Sequence, residues 1–157
     1  MTDTAPSTDA RSLTIRPLEP SDRAEWAELW MAYLEFYETS VAEEVYDSTF
    51  ARMLGDDPQD FSCLVAEQGG RLVGLVHYLF HRHGWKIENV CYLQDLYARP
   101  EVRGLGVGRA LIEAVYKAAD EKGAPSVYWL TQDFNETARK LYDRIGVLTP
   151  FIKYARP

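Results

Sequence analysis

This 157-residue chain predicts an α/β fold, with a mixed central β-sheet flanked by helices on both faces. Three observations carry that prediction. Two β-rich runs meet at a Gly-Gly turn, so part of the sheet is antiparallel. Later β-rich runs are separated by helical stretches, so part of it is joined by crossovers. The length suits one core with little left over. The order reads β-α-α-β-β-β-α-β-α-β, in a single domain over residues 12–157. The small, polar "MTDTAPSTDA" opening lacks the apolar core of a signal peptide, and residues 1–11 are expected to be a disordered lead-in.

The elements follow from local patterns. Leu13 and Ile15 alternate with polar residues in "SLTIRPLEP", a first strand that Pro20 ends. Ser21 or Asp22 caps the next helix, with Glu25 placed for a capping box. Trp26, Leu29, Trp30, Tyr33, Leu34 and Tyr37 follow helical spacing and mark its buried face. Ser40 with Glu43 offers a second box, for a helix carrying Val45, Phe50, Met53 and Leu54 and ended by Gly55. "FSCLVAEQGGRLVGLVHYLFHRH" is the hairpin, and "NVCYLQDLYARP" is a strand stopped by Pro100. A helix then runs to about Glu121, with Val107, Leu111, Ile112, Val115, Ala118 and Ala119 on its apolar face; Gly123 and Pro125 break it. "SVYWLTQ" is a strand. Asn135 caps a short helix with Ala138, Leu141, Tyr142 and Ile145 on one face, Gly146 ends it, and "PFIKYAR" reads as a last strand.

Composition narrows the function classes. A net charge of -7 repels phosphate backbones and argues against a nucleic-acid partner. No apolar run reaches membrane-spanning length, so no membrane partner is expected. Cys63 and Cys91 sit in apolar stretches outside any C-x-x-C, as buried free thiols in a reducing compartment would, and the expected location is cytoplasmic. His77, His81 and His83 share a strand parity, but without a nearby Cys or carboxylate they form no metal signature, and no metal is expected. One of the three remains open as a proton acceptor.

The residues with the most chemistry are "PEVRGLGVGRALIEAVY", where Gly104, Gly106 and Gly108 alternate with Leu105 and Val107 at a helix start, between Arg103 and Arg109. The first N–H groups of a helix have no partner within it, and the helix dipole adds positive charge there. Glycines let a phosphate approach the backbone, and the arginines add charge outside the loop. The loop is therefore expected to hold a phosphate or pyrophosphate. A Walker loop would need Lys followed by Ser or Thr, and a dinucleotide fingerprint would need G-x-G-x-x-G near the chain start; neither is present.

"RGLGVG" at 103–108 resembles the R/Q-x-x-G-x-G/A motif of the GNAT superfamily of N-acetyltransferases. "LTIRPLEPSD" is similar to their opening strand and turn, and "NETARKLYDRIG" to their N-x-x-A-x-x-x-Y-x-x-x-G segment. The resemblance covers most of the chain and implies the GNAT fold with acetyl-CoA as co-substrate. It implies pyrophosphate on the loop from Arg103 through Gly104, Leu105, Gly106, Val107 and Gly108 to Arg109. It also implies pantetheine along Leu96, Tyr97 and Ala98, and a cofactor contact at Asn135.

Acetyl transfer needs a neutral amine, a donor for the oxyanion and a proton for the leaving thiolate. Tyr142 matches the tyrosine that is the general acid in many relatives; it also lies on its helix's apolar face, and both roles are compatible. "YLQDLY" resembles the matching strand of spermidine/spermine-type and related small-amine acetyltransferases, which commonly carry Glu-Asp. Here Gln94 replaces the first of the pair, so no base stands there. Asp95 is the candidate to bind the acceptor's ammonium or pass on its proton, beside a purely structural role. Tyr33, Tyr37 and Glu38, at the junction of the first two helices, suit a cationic acceptor, and Trp129 is a further candidate; core packing is the competing role for the aromatics. The expected function is transfer of acetyl from acetyl-CoA to a primary amine of a small cationic molecule by direct attack in a ternary complex. A protein or peptide acetyltransferase and a noncatalytic acyl-CoA sensor are the alternatives. The resemblance also implies a homodimer, with the C-terminal strand available to pair across subunits.

Overall fold

The computed structural model describes residues 12–157, and the lead-in expected at residues 1–11 lies outside them. One sheet has the order β1 (Leu13–Pro17), β2 (Ser62–Gln68), β3 (Arg71–His81), β4 (Val90–Ala98), β5 (Val127–Tyr128). The first three pairings are antiparallel and β4 with β5 is parallel, so the sheet is mixed. The long crossover through the helix Val107–Glu121 allows the parallel pair, and the Gly69-Gly70 turn makes the β2–β3 hairpin.

Helices α1 (Arg23–Phe36) and α2 (Glu43–Leu54) cover one face; α3 (Val107–Glu121) and α4 (Glu136–Ile145) cover the other. Each face has its own core. Trp26, Leu29 and Phe50 pack over Val65, Leu72 and Leu75 on the first. Leu111, Ile112 and Val115 pack over Val76, Cys91 and Leu93 on the second. No helix among the described residues is long and apolar enough to cross a membrane.

Local caps differ from expectation at two helices. Pro20–Asp22 forms a short 3₁₀ turn, and Asp22 serves that turn rather than α1. Its carboxylate accepts the Glu19 N–H at 2.8 Å and both Arg16 nitrogens at 2.7 and 2.9 Å. A bidentate charge-assisted pair from β1 outweighs a local cap. Glu25 reaches β3 instead and accepts the Leu72 N–H at 2.9 Å. Likewise α2 begins after Ala42 with no side-chain cap, so Ser40 and Glu43 form no box.

The sheet is shorter at its end than the sequence suggests. Only Val127 and Tyr128 of "SVYWLTQ" are strand, and residues 147–157 form none. The expected last strand is therefore absent, and Val147, Leu148, Phe151, Ile152 and Tyr154 are exposed. A two-residue β5 offers no ladder for that segment to join, and Pro150 removes a donor from it.

β4 carries the irregularity that shapes the site. His77 pairs with Asp95 but the next residue, Tyr78, pairs with Leu93, which leaves Gln94 as a bulge. A bulge shifts the alternation by one. Before it, Cys91 and Leu93 join the α3 core; after it, Leu96 and Ala98 do. Tyr92 and Asp95 consequently share the α1 face, although they are three residues apart.

Candidate active site

Pairing between β4 and β5 ends at Tyr92 with Tyr128, while β4 continues to Ala98. Beyond that point the β5-side edge of β4 has no strand partner among the described residues. The opening connects the two faces: Tyr37 at the end of α1 and Tyr142 of α4 are close enough to interact electrostatically. A cleft of about 720 Å³ runs beside β5, lined by Tyr92, Tyr128, Trp129 and Tyr142 among others.

Asp95 is 8% exposed, and ring nitrogens of His77 and Trp30 approach its carboxylate. Nδ1 of His77 lies 2.8 Å from Oδ2, and Trp30 Nε1 donates to the same oxygen at 3.3 Å. The Tyr33 hydroxyl lies within reach of the Asp95 charge. Burial first, and then the Asp95 charge, push the Tyr33 and Tyr37 hydroxyls above their ordinary values. Tyr92 is raised by the same two causes. Tyr33 and Tyr37 pack at 5.0 Å, and Tyr92 stacks on Tyr128 at 4.8 Å. Four tyrosines and one carboxylate thus line a single region, and no salt bridge to Lys or Arg neutralises Asp95 among the described residues.

Tyr142 sits on the opposite side of the opening. Its ring packs against Trp129 at 5.5 Å, and burial pushes its hydroxyl up to about 12, with Tyr37 a smaller cause. At neutral pH it carries its proton, as a donor must.

The glycine loop leads into α3. Gly104 and Gly106 have φ of 82° and 85°, which L side chains adopt only at a cost. A Cβ on either would meet nothing within 4 Å, so the space above the loop is open. The amides of Arg103 and Leu105 are used within the turn, by Pro100 and Val102 carbonyls. Those of Val107, Gly108 and Arg109 open α3 and have no partner in its first turn. An open cradle of orphan amides at a helix start fits a pyrophosphate. Arg103 is fixed by its bond to the Ala98 carbonyl at 3.2 Å and lies over Tyr97; Arg109 pairs with Glu113 at 2.8 Å. Leu96, Tyr97 and Ala98 pair with Val76, Leu75 and Gly74 of β3 and lead from Asp95 toward the loop.

Other predicted residues stand elsewhere or do other work. Asn135 Oδ1 accepts the Ala138 N–H at 3.2 Å and caps α4, as its position predicts. Trp129 packs with Tyr116 and Tyr142 in the α3 core rather than beside Asp95. Glu38 is exposed just past α1, with φ 56°, and no bond ties it to Asp95 or the tyrosines. The histidines part company: His77 is buried behind Trp26, whereas His81 reaches the Tyr128 hydroxyl at 2.7 Å and His83 stands in the exposed β3–β4 loop. Among the described residues no three potential metal ligands cluster. Trp30 and Tyr92 were not foreseen at the site, and His77 was foreseen only as one of three histidines open as a proton acceptor; a carboxylate in mid-strand was the one signal that such partners had to exist.

Comparisons with known proteins agree with this architecture. Residues 24–147 match the model of the acetyltransferase (GNAT) family. The D-amino-acid N-acetyltransferase HPA3 of Saccharomyces cerevisiae is 38% identical over 145 residues, covering 92% of this chain and 90% of that protein. Thialysine N-epsilon-acetyltransferase of Mus musculus is 32% identical over 144 residues, covering 86% and 84%. The ribosomal-protein-alanine N-acetyltransferase structure from Brucella melitensis shares the fold with TM-score 0.77 at 23% identity, over 93% of this chain and 99% of that one. The chain belongs to the acetyltransferase (GNAT) family, and its activity is acetyl-CoA-dependent transfer of an acetyl group to an amine.

Proposed function

We propose that the acceptor is a small cationic primary amine, received by Asp95 between Tyr33, Tyr37 and Tyr92. One observation carries this reading: a nearly buried carboxylate, held by a histidine and an indole, has no Lys or Arg partner among the described residues. Such a group leaves a net negative charge that an ammonium complements, and tyrosine faces add cation–π attraction. The 38% identical relative acts on D-amino acids and the mouse one on thialysine, which supports a small amine over a protein.

The state of the two cysteines supports direct attack in a ternary complex over a thiol-bound acetyl intermediate. Cys63 and Cys91 are buried, and burial pushes both thiols up, Cys91 to about 12. The acceptor gives up an ammonium proton toward Asp95 or water, its nitrogen attacks the thioester carbon, and the nitrogen's second proton leaves to water as the carbon–sulfur bond breaks and the amide forms. Tyr142 gives its proton to the departing thiolate and is reprotonated from solvent. The orphan amides of Val107, Gly108 and Arg109, with Arg103, hold the pyrophosphate; Leu96–Ala98 offer backbone to the pantetheine arm, and Asn135 orders α4 behind it. Substitution of Asp95 by Asn tests the assignment: KM for the amine rises at least tenfold while acetyl-CoA affinity holds. An unchanged KM refutes it.

The exposed apolar arm supports a homodimer. Phe151 and Ile152 are 77% and 78% exposed, an unusual burden for a lone chain, and β5 leaves the sheet edge open. Light scattering should give a dimer, and F151S/I152S a monomer. A wild-type monomer at micromolar concentration contradicts this. Two free buried thiols support a reducing, cytoplasmic setting.

A further inference from the structure

His77, one of the three histidines left open as a proton acceptor, makes the shortest bond to Asp95. We propose that Trp26 and His77 form a lock that holds Asp95 in place, with His77 as a positioning residue and not a base. This rests on Asp95 receiving the acceptor.

The direction of the chain is set by chemistry. Trp26 Nε1 lies 3.0 Å from His77 Nε2, and an indole N–H can only donate. Nε2 is therefore the acceptor, and the single ring proton is on Nδ1. That proton is donated to Asp95 Oδ2 across 2.8 Å. A proton added at Nε2 would face the indole N–H head-on. Trp26 has no room to withdraw: it is 0% exposed, stacked on Trp30 at 5.3 Å and packed on Phe50 at 5.2 Å. His77 itself is 3% exposed, so bulk water does not replace either bond.

The consequence falls on Asp95. His77 and Trp30 both aim at Oδ2, which fixes the carboxylate's rotation and directs Oδ1 to the acceptor. The titratable and charged groups around His77 are Asp95 on β4, Tyr33 on α1, Tyr46 on α2 and Cys63 on β2. Arg23 lies beyond, 5.4 Å from the Trp26 ring centroid. None of them offers His77 Nε2 an alternative partner.

Two measurements test the lock. In protein labelled with 15N-histidine, ring nitrogen shifts should show His77 as the Nδ1–H tautomer. An Nε2–H tautomer overturns the proposal. The second is a comparison of two amides. H77N places an N–H near the Nδ1 position and keeps the bond to Asp95; H77Q places its amide near Nε2 and does not. H77Q should raise KM for the amine roughly tenfold or more with acetyl-CoA affinity unchanged, and H77N should recover most of the loss. Equal behaviour of the two variants refutes positioning. The nitrogen shifts need no turnover, so a wild type inactive on every amine would sink the proposed acceptor and leave the lock to stand on its spectrum.

Discussion

Replacement of Gly106 separates backbone strain from ligand loss. Its φ of 85° costs an L residue about 1–2 kcal/mol. At about 2–4 °C per kcal/mol for a chain of this size, Gly106→Val should lower Tm by roughly 2–8 °C. The effect on acetyl-CoA should be far larger. A Cβ at 106 enters the open space at the start of α3, where the Val107 and Gly108 amides would meet the phosphate. Losing two bonds from those amides to a charged phosphate, at about 1.5–3 kcal/mol each, weakens binding at least about a hundredfold. Gly123 is the control: φ is 68° and a Cβ also meets nothing within 4 Å, but it lies past the far end of α3. Calorimetric titration of Gly106→Val and Gly123→Val, with thermal melts of both, reads the two effects apart. Similar Tm losses with only Gly106→Val losing affinity is the expected result. Acetyl-CoA binding to Gly106→Val within threefold of wild type would refute the pyrophosphate cradle.

Three further outcomes follow from the same geometry. Tyr142→Phe should lower kcat about a hundredfold or more with acetyl-CoA affinity unchanged, as loss of a general acid does; undiminished turnover removes it from that role. Burial raises Tyr33, Tyr37, Tyr78, Tyr92 and Tyr142, so the fold holds phenolic protons that the unfolded chain releases from about pH 10. Stability is then intact below pH 10 and declines as pH rises through the raised values, and the phenolate absorbance of these five tyrosines should grow only with unfolding; their ionisation in the intact fold contradicts this. Arg16 holds Asp22 below its ordinary 3.8, so that pair's stability is present above about pH 4 and lost as pH falls through the lowered value. Arg16→Ala should cost about 1–3 kcal/mol at neutral pH and flatten the acid side of the Tm profile; an unchanged profile contradicts it.

What could be read from the sequence was local. The Gly69-Gly70 turn, the Asn135 cap and the glycines opening α3 depend on near neighbours, and each lies where its pattern says. Helical spacing likewise picked Trp26, Leu29, Trp30 and Leu34 as the buried side of α1. Features decided by distant partners were hidden. Asp22 and Glu25 look like caps until Arg16 and Leu72 claim them. The Gln94 bulge breaks the period of two on which strand reading depends, so nothing local placed Tyr92 beside Asp95. His77 lies 51 residues from Trp26 and 18 from Asp95, and only the fold brings the three together. The last strand failed for a related reason: alternation in "PFIKYAR" describes a strand's surface but supplies no partner to pair with.

Thiol release from acetyl-CoA tests the central claim most directly, with initial rates measured against small primary amines and lysine-bearing peptides in one series. Saturable release with a small cationic amine, accompanied by its acetylated product and weak or absent with peptides, is the predicted result. Release driven by peptides alone, or by no amine while acetyl-CoA still binds, would contradict it.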